Sequence, residues 1–367
     1  MSLAGQWIGK IDGAVKGMGV LELDDVGDEY SGSACLYSYD QRIPSTEAVI
    51  RVPKVSIDRF EAPIFALDGS GLRLDLLQMK ERFPEYVHGD KVEIAFDFDD
   101  RTVTLRYRTN LPSIGQGVLE RRTVDRGRGI SPVESVNTWR KFREYLETID
   151  VEKFIFRGQP GPFPLRTAFH RTSRSDLARY LDEDAQYLER NLSPIVAHRF
   201  DFRDPGQFGN YLNLVQHHGY PTPLLDWTES PYVAGYFAYQ SNQEHPSNRV
   251  RILMLEKEPW MSPSEVPVFF TRVPPHITIM YLGGFLNPRM LPQHSVNMLT
   301  NVDDIEVYIQ QKDAVRGRKT LTAFDLPFSE RRDTLAHLRT MGITAGSLFP
   351  GLDGSCEALK MERFDDF

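Results

Sequence analysis

The sequence predicts two domains of different class. Residues 1–122 form an all-β, barrel- or sandwich-like domain, 123–134 a linker, and 135–367 an α+β domain. Three observations lead there. The first third is made of short, glycine-punctuated runs in which apolar and polar residues alternate. A polar, glycine-bearing run, ERRTVDRGRGISPVES (Glu120 to Ser135), then breaks the pattern. Beyond it helical and strand periodicities follow one another in irregular order, which favours α+β over a doubly wound sheet.

Taken in order, GQWIGKIDGAVKGMGVLELD (Gly5 to Asp24) alternates between glycines that suit tight turns and bulges. In KVEIAFDFDDRTVTLRYRT (Lys91 to Thr109), Val92, Ile94, Phe96 and Phe98 share one face. Val103, Leu105 and Tyr107 follow after Asp99-Asp100, a hairpin turn. Strands of this length and spacing suit a small barrel or sandwich. In the second domain Trp139, Phe142 and Leu146 fall at helical spacing, and VEKFIFRG then reads as a strand. Phe208, Tyr211, Leu212 and Val215 mark a helix that Gly219 and Pro221 stop. RVRILMLEK, SVNMLT, DIEVYIQ and LTAFDLP read as strands. SERRDTLAHLRTMGI reads as a helix with Ser329 as N-cap and Gly342 past its end. GLDG (Gly351 to Gly354) reads as a turn and helix cap, and the preceding Leu348 and Phe349 as core.

Composition narrows the class. A net charge of −8 argues against holding nucleic acid by an overall positive field, although a local patch, and a protein or nucleic-acid target, stay open. The two cysteines, Cys35 and Cys356, make neither a disulfide framework nor a metal cluster, which points to a reducing, cytoplasmic setting. MSLAGQWIGKIDG lacks the order of a signal peptide, and no apolar run approaches the roughly 20 residues of a membrane span. No His, Cys or carboxylate set has metal spacing, so no metal is expected.

One stretch carries a question. In LLDWTESPYVAGYFAY (Leu224 to Tyr239), Asp226 sits between an apolar pair and Trp227, a costly place for a carboxylate without a partner. Four segments of the second domain stand out together: FIFRGQ (Phe154 to Gln159), Gln216 to Tyr239, NPRMLPQHSVNM (Asn287 to Met298) and MGITAGSLFPGLDG (Met341 to Gly354). In this order they resemble the FRG domain, a bacterial family named for its Phe-Arg-Gly motif, here Phe156-Arg157-Gly158. The resemblance spans roughly residues 135 to 360. The third segment departs from the family pattern of Gln, any residue, Gly: here it reads Gln293-His294-Ser295. Serine can stand there only if the backbone needs neither positive φ nor a very close approach.

The segment pattern is also similar to that of ADP-ribosyltransferases, which bind NAD in a cleft between two small sheets. That similarity implies a split sheet, with NAD as substrate or ligand. Arg157 would clamp the dinucleotide beside Gly158, Thr228 and Ser230 would orient the ribose, and Gln293 would bond its hydroxyls. Arginine offers a planar fork of donors for phosphate or ribose oxygens. Trp227, Tyr232 and Tyr236 would supply stacking rings. Glutamine cannot neutralise the positive charge that develops on the ribose, so a carboxylate must come from Asp226, Glu229 or the target. The setting so implied is a toxin or anti-phage effector.

Other readings stand beside this one. Arg157 and Asp226 can satisfy each other as a buried bidentate pair with no ligand. The same cleft can be a non-catalytic module recognising a nucleotide or peptide. A nuclease or hydrolase would use His218 with Asp226, His217 being the weaker candidate of the two histidines. Ser230-Pro231 has the form of a helix N-cap with proline in the first turn.

Overall fold

The computed structural model describes residues 2–111, 113–121, 129–261, 271–284 and 286–364. Residues 123–128 of the expected linker lie outside these. Its remainder already runs along the second domain, where Val133 N donates to Ala323 O over 2.9 Å.

Eight antiparallel strands close into a barrel: β1 (Gly5–Gly13), β2 (Gly17–Val26), β3 (Glu29–Ser38), β4 (Ser45–Pro53), β5 (Arg59–Leu67), β6 (Lys91–Phe98), β7 (Thr102–Thr109) and β8 (Ile114–Arg121). β8 pairs back onto β1, from Trp7↔Arg121 to Gly13↔Gly115. Glycine is needed at that seam, because a Cβ on Gly9 would lie 2.1 Å from Val118 O. The β6–β7 turn is the expected one, with Asp99 Oδ1 accepting from the amides of Arg101 and Thr102. α1 (Leu76–Arg82) connects β5 to β6, capped by Asp75. Trp7, Leu21, Leu23, Tyr30, Ile50 and Val52 belong to the buried barrel core.

The second domain is built on a six-stranded sheet in the order β12-β13-β10-β9-β11-β14. The strands are β9 (Phe154–Gln159), β10 (Leu224–Thr228), β11 (Arg249–Glu256), β12 (Ile277–Met280), β13 (Ser295–Thr300) and β14 (Leu321–Pro327), each antiparallel to its neighbours. Helices α2 (Trp139–Leu146), α7 (Pro231–Tyr239), α9 (Arg331–Thr340) and the short α10 (Ala345–Leu348) enclose a core with Phe156, Ile252 and Phe324. α8 (Ile305–Arg316) shares another core with Leu225, Trp227, Val296 and Met298. α3 (Ala168–Arg171), α4 (Leu177–Arg179), α5 (Gln186–Val196) and α6 (Pro205–His217) gather over Leu224 and Leu299. α11 (Leu352–Phe364) ends the described chain.

Two readings of the sequence are corrected. DIEVYIQ is not a strand but the first turns of α8: Asp304 caps it by accepting from Val307 N. Its buried residues Ile305, Tyr308 and Ile309 fall at i, i+3 and i+4. The β-branched content suggested a strand, and the cap decides for a helix. Ser329 is not the N-cap of α9; it lies in a 3₁₀ turn, Phe328–Glu330, that leads into the helix. Gly342 does follow that helix, with φ +78°.

Polar contacts join the domains. Asp24 accepts from Ser175 N at 2.6 Å and from Arg174 Nε at 2.8 Å. Glu47, 1% exposed, is held by Arg73 and by Arg272 of the second domain. Gln6 Nε2 donates to Glu22 and to Asn301 O. Among the described residues no helix is long and apolar enough to cross a membrane.

Candidate functional site

The sheet has one weak seam. β9 and β10 share a single register pair, Phe156↔Thr228, and then part. Arg157 bridges the opening, its Nη1 donating to Asp226 O over 2.5 Å. A cleft of about 390 Å³ lies there. β9 contributes Arg157 and Gly158, β10 contributes Asp226 and Thr228, and α6 contributes Asn213, Gln216 and His217. Arg289, Gln293, Ser295 and Phe349 complete the rim.

The glycine of the Phe-Arg-Gly motif is a packing device. A Cβ on Gly158 would stand 1.9 Å from Ala234 O and 2.6 Å from Ala238 N, so β9 lies directly on the backbone of α7. Its neighbour Arg157 is surrounded by protein, and this desolvation lowers its pKa to about 10; the charge of Asp226 opposes the shift and that of Arg171 adds to it. Its Nε is buried without a partner among the described residues.

The bidentate Arg157–Asp226 pair is absent. Arginine binds the backbone carbonyl of Asp226, and the carboxylate is held by amides instead. Asp226 Oδ1 accepts from Gln216 Nε2 at 2.5 Å and from Asn297 Nδ2 at 3.1 Å. Asn213 Nδ2 donates to Asn297 Oδ1, and Asn287 Nδ2 donates to Asn213 Oδ1. Thr222 Oγ1 donates to Gln216 Oε1, which fixes the Gln216 amide. Asp226 thus ends a relay of oriented amides. Protein encloses it on most sides while its surface opens into the cleft. Burial raises its pKa, against the lowering effect of the Arg157 charge and the Gln216 bond.

The other expected residues divide. Thr228 is at the cleft, with Oγ1 donating to Gln293 O at 2.7 Å. Gln293 is there too, its amide spent on Leu348 O. Trp227 reaches the wall but is 2% exposed, which leaves little ring face for a ligand. Glu229 is elsewhere, bound by Lys257 Nζ at 2.9 Å and Tyr281 Oη at 2.7 Å. Ser230 caps α7 by accepting from Val233 N. Tyr232 packs edge-on to Trp139 and Tyr236 is buried in the core. His218 is exposed and outside the cleft lining, whereas His217 lines it. Desolvation first, and then the Arg289 charge, lower the His217 pKa to about 4.

Leu348 is core as expected, and Phe349 packs half-buried against that core while also lining the cleft, with the Arg289 guanidinium 5.1 Å above its ring. Ser295 needs no glycine. It opens β13 opposite Thr228, and the positive φ falls on His294, at +47°. The amide relay went unread, yet it had a signal: Asn213, Gln216 and His217, at i, i+3 and i+4, form a polar stripe on an apolar helix. Among the described residues no three His, Cys, Asp or Glu side chains are grouped to hold a metal.

The second domain carries an FRG domain: that family's model matches residues 152–247, from the turn before β9 through α7. Arg157 and Asp226 lie inside the match and Gln293 outside it. Among solved structures, one of a redesigned beta barrel, mFAP1, bound to DFHBI is similar at 14% identity. It covers 32% of this chain and 94% of its own, with a TM-score of 0.23. No curated protein matches the chain.

Proposed function

We propose that the cleft binds NAD or a closely related dinucleotide and cleaves its nicotinamide–ribose bond, as an ADP-ribosyltransferase or NAD glycohydrolase. The observation that carries this reading is Asp226, a solvent-reachable carboxylate on a cleft floor, oriented by amides beside the Arg157 cation. The C–N bond breaks with its electron pair leaving on nicotinamide, and the carboxylate faces the positive charge that develops on the ribose. Water or a target nucleophile attacks the ribose carbon, and its proton passes to Asp226. A raised pKa makes Asp226 a better base than an ordinary aspartate. Arg157 and Arg289 supply donors for the phosphates. Glu229 is not the acid in this scheme, since Lys257 and Tyr281 hold it away from the cleft. Cytoplasmic toxin or phage-defence action rests on the family resemblance.

A recognition module without catalysis is the second reading, favoured by Gln293, which carries no charge and whose amide is already engaged. Nicotinamide release from NAD, followed by chromatography, separates the two. Asp226→Asn keeps an oxygen to accept from Gln216 and Asn297, so the fold survives, and turnover should fall about 10²–10³-fold as for other lost transition-state charge partners. Binding without turnover by the native protein supports the recognition module. Neither binding nor turnover removes NAD from consideration.

A further inference from the structure

The barrel is packed at one end and hollow at the other. Trp7, the largest fully buried side chain, fills the barrel with Leu21 and Leu23. Where the β1–β2 loop meets residues 86–89, Leu111 and Ser113, the lining positions include Gly19, Ala34 and Ala48. Their small side chains leave a cavity of about 520 Å³, larger than the cleft of the second domain. Ile11, Leu36, Ile64, Ile94, Leu105 and Leu119 wall it. Such walls offer water few hydrogen bonds and favour apolar guests.

Two features set the chemistry of the guest. No Asp, Glu, Lys or Arg is among the residues that line the cavity, so a charged group placed inside would have no counter-charge. The polar groups gather near the mouth. His88 Nε2 lies 3.2 Å from Thr46 Oγ1, and burial disfavours its cation. The Tyr107 hydroxyl is buried, with the Ser113 side chain beside it as a weak partner that does not meet hydrogen-bond geometry. A buried hydroxyl so weakly satisfied is a cost that a ligand atom can relieve.

We infer that the barrel binds one uncharged, mostly apolar small molecule, its hydrocarbon among the lining Ile and Leu side chains and its single hydrogen-bonding group at Tyr107. This site is independent of the FRG cleft and of the reading given to that cleft.

The test uses the full chain and the neutral dye Nile red. Its emission should shift to the blue and saturate at one dye per chain. Decanol should displace it, and decanoate at pH 8 should compete far more weakly, because the carboxylate has no partner in the cavity. Ala48→Phe and, as a milder filling, Ala34→Leu should each remove dye binding while the thermal melt stays cooperative. Tyr107→Phe should weaken competition by decanol without weakening competition by decane. Absence of saturable binding, equal displacement by decanol and decanoate, or unchanged binding in a folded cavity-filled variant would each overturn the inference.

Discussion

Replacing Gly158 with alanine tests whether the middle strand of the FRG sheet is held by backbone-to-backbone packing. The new methyl would sit 1.9 Å from Ala234 O and 2.6 Å from Ala238 N. Ordinary contact begins near 3.4 Å, so β9 and α7 must separate by about 1.5 Å. Both obstructing atoms are main chain, and no rotamer change can relieve them. Overfilling a packed site by one methylene typically costs about 1–3 kcal/mol, and a clash with main chain belongs at or above the top of that range. About 3 kcal/mol corresponds to a fall of roughly 6–12 °C in melting temperature for a domain of this size. The control is Gly342→Ala, where φ is +78° and nothing lies within 4 Å. There only the left-handed backbone penalty of about 1–2 kcal/mol applies. Calorimetric melts of both variants beside the native chain decide it. If Gly158→Ala melts with the native protein and loses only ligand affinity, the glycine serves close approach of a ligand, and the packing account is wrong.

Three further outcomes follow from the site and the interface. Arg157→Lys keeps the charge but loses the planar fork, and NAD affinity by titration calorimetry should fall by about 1.5–3 kcal/mol; an unchanged affinity ends the clamp role. His217→Ala should weaken binding of the same ligand and His218→Ala should not, since only His217 lines the cleft; the reverse order would move the site. At the interface, desolvation raises the carboxyl of Glu22 from 4.5 to about 8 and that of Asp176 from 3.8 to about 6. Both folded values exceed the unfolded ones, so the folded state binds more protons between them. The stability they contribute is full below about pH 4 and is lost as pH rises toward 8. Melts across pH 5 to 8 should therefore fall for the native chain and fall less steeply, above pH 6 most of all, for Glu22→Gln, whose amide oxygen still accepts from Gln6; parallel slopes would refute this.

Much of the fold was legible because the signals were local. Strand alternation around Asp99 and the helix stop at Gly342 are each set by a few neighbouring residues. DIEVYIQ misleads for the same reason: its β-branched residues favour a strand locally, and the Asp304 cap overrides them. The candidate site was half legible. Arg157, Asp226, Thr228 and Gln293 were found by their segments and do converge. Glu229 was indistinguishable from Asp226 in the sequence, because only the fold brings Lys257 and Tyr281 to one and not the other. The α6 end of the amide relay shows as the Asn213-Gln216-His217 stripe, but its pairing with Asn287 and Asn297 is long-range and has no spacing to read.

That relay answers why a carboxylate follows the apolar pair at Leu224-Leu225. A carboxylate that only holds structure is best served by a charged partner, which lowers its pKa and neutralises it. The chain has the cation at hand and does not use it so: Arg157 is turned to the carbonyl of Asp226. Amides bind the carboxylate instead, Gln216 and Asn297 both donating to Oδ1. Amides orient without neutralising, so the negative charge stays available to whatever enters the cleft. Burial meanwhile keeps its proton affinity high. Removing the relay separates orientation from charge. Asn297→Ala would leave Asp226 ionisable but held by Gln216 alone, so it should lower turnover of NAD more than it lowers NAD binding. Equal losses in both would make the relay a support for the strands alone.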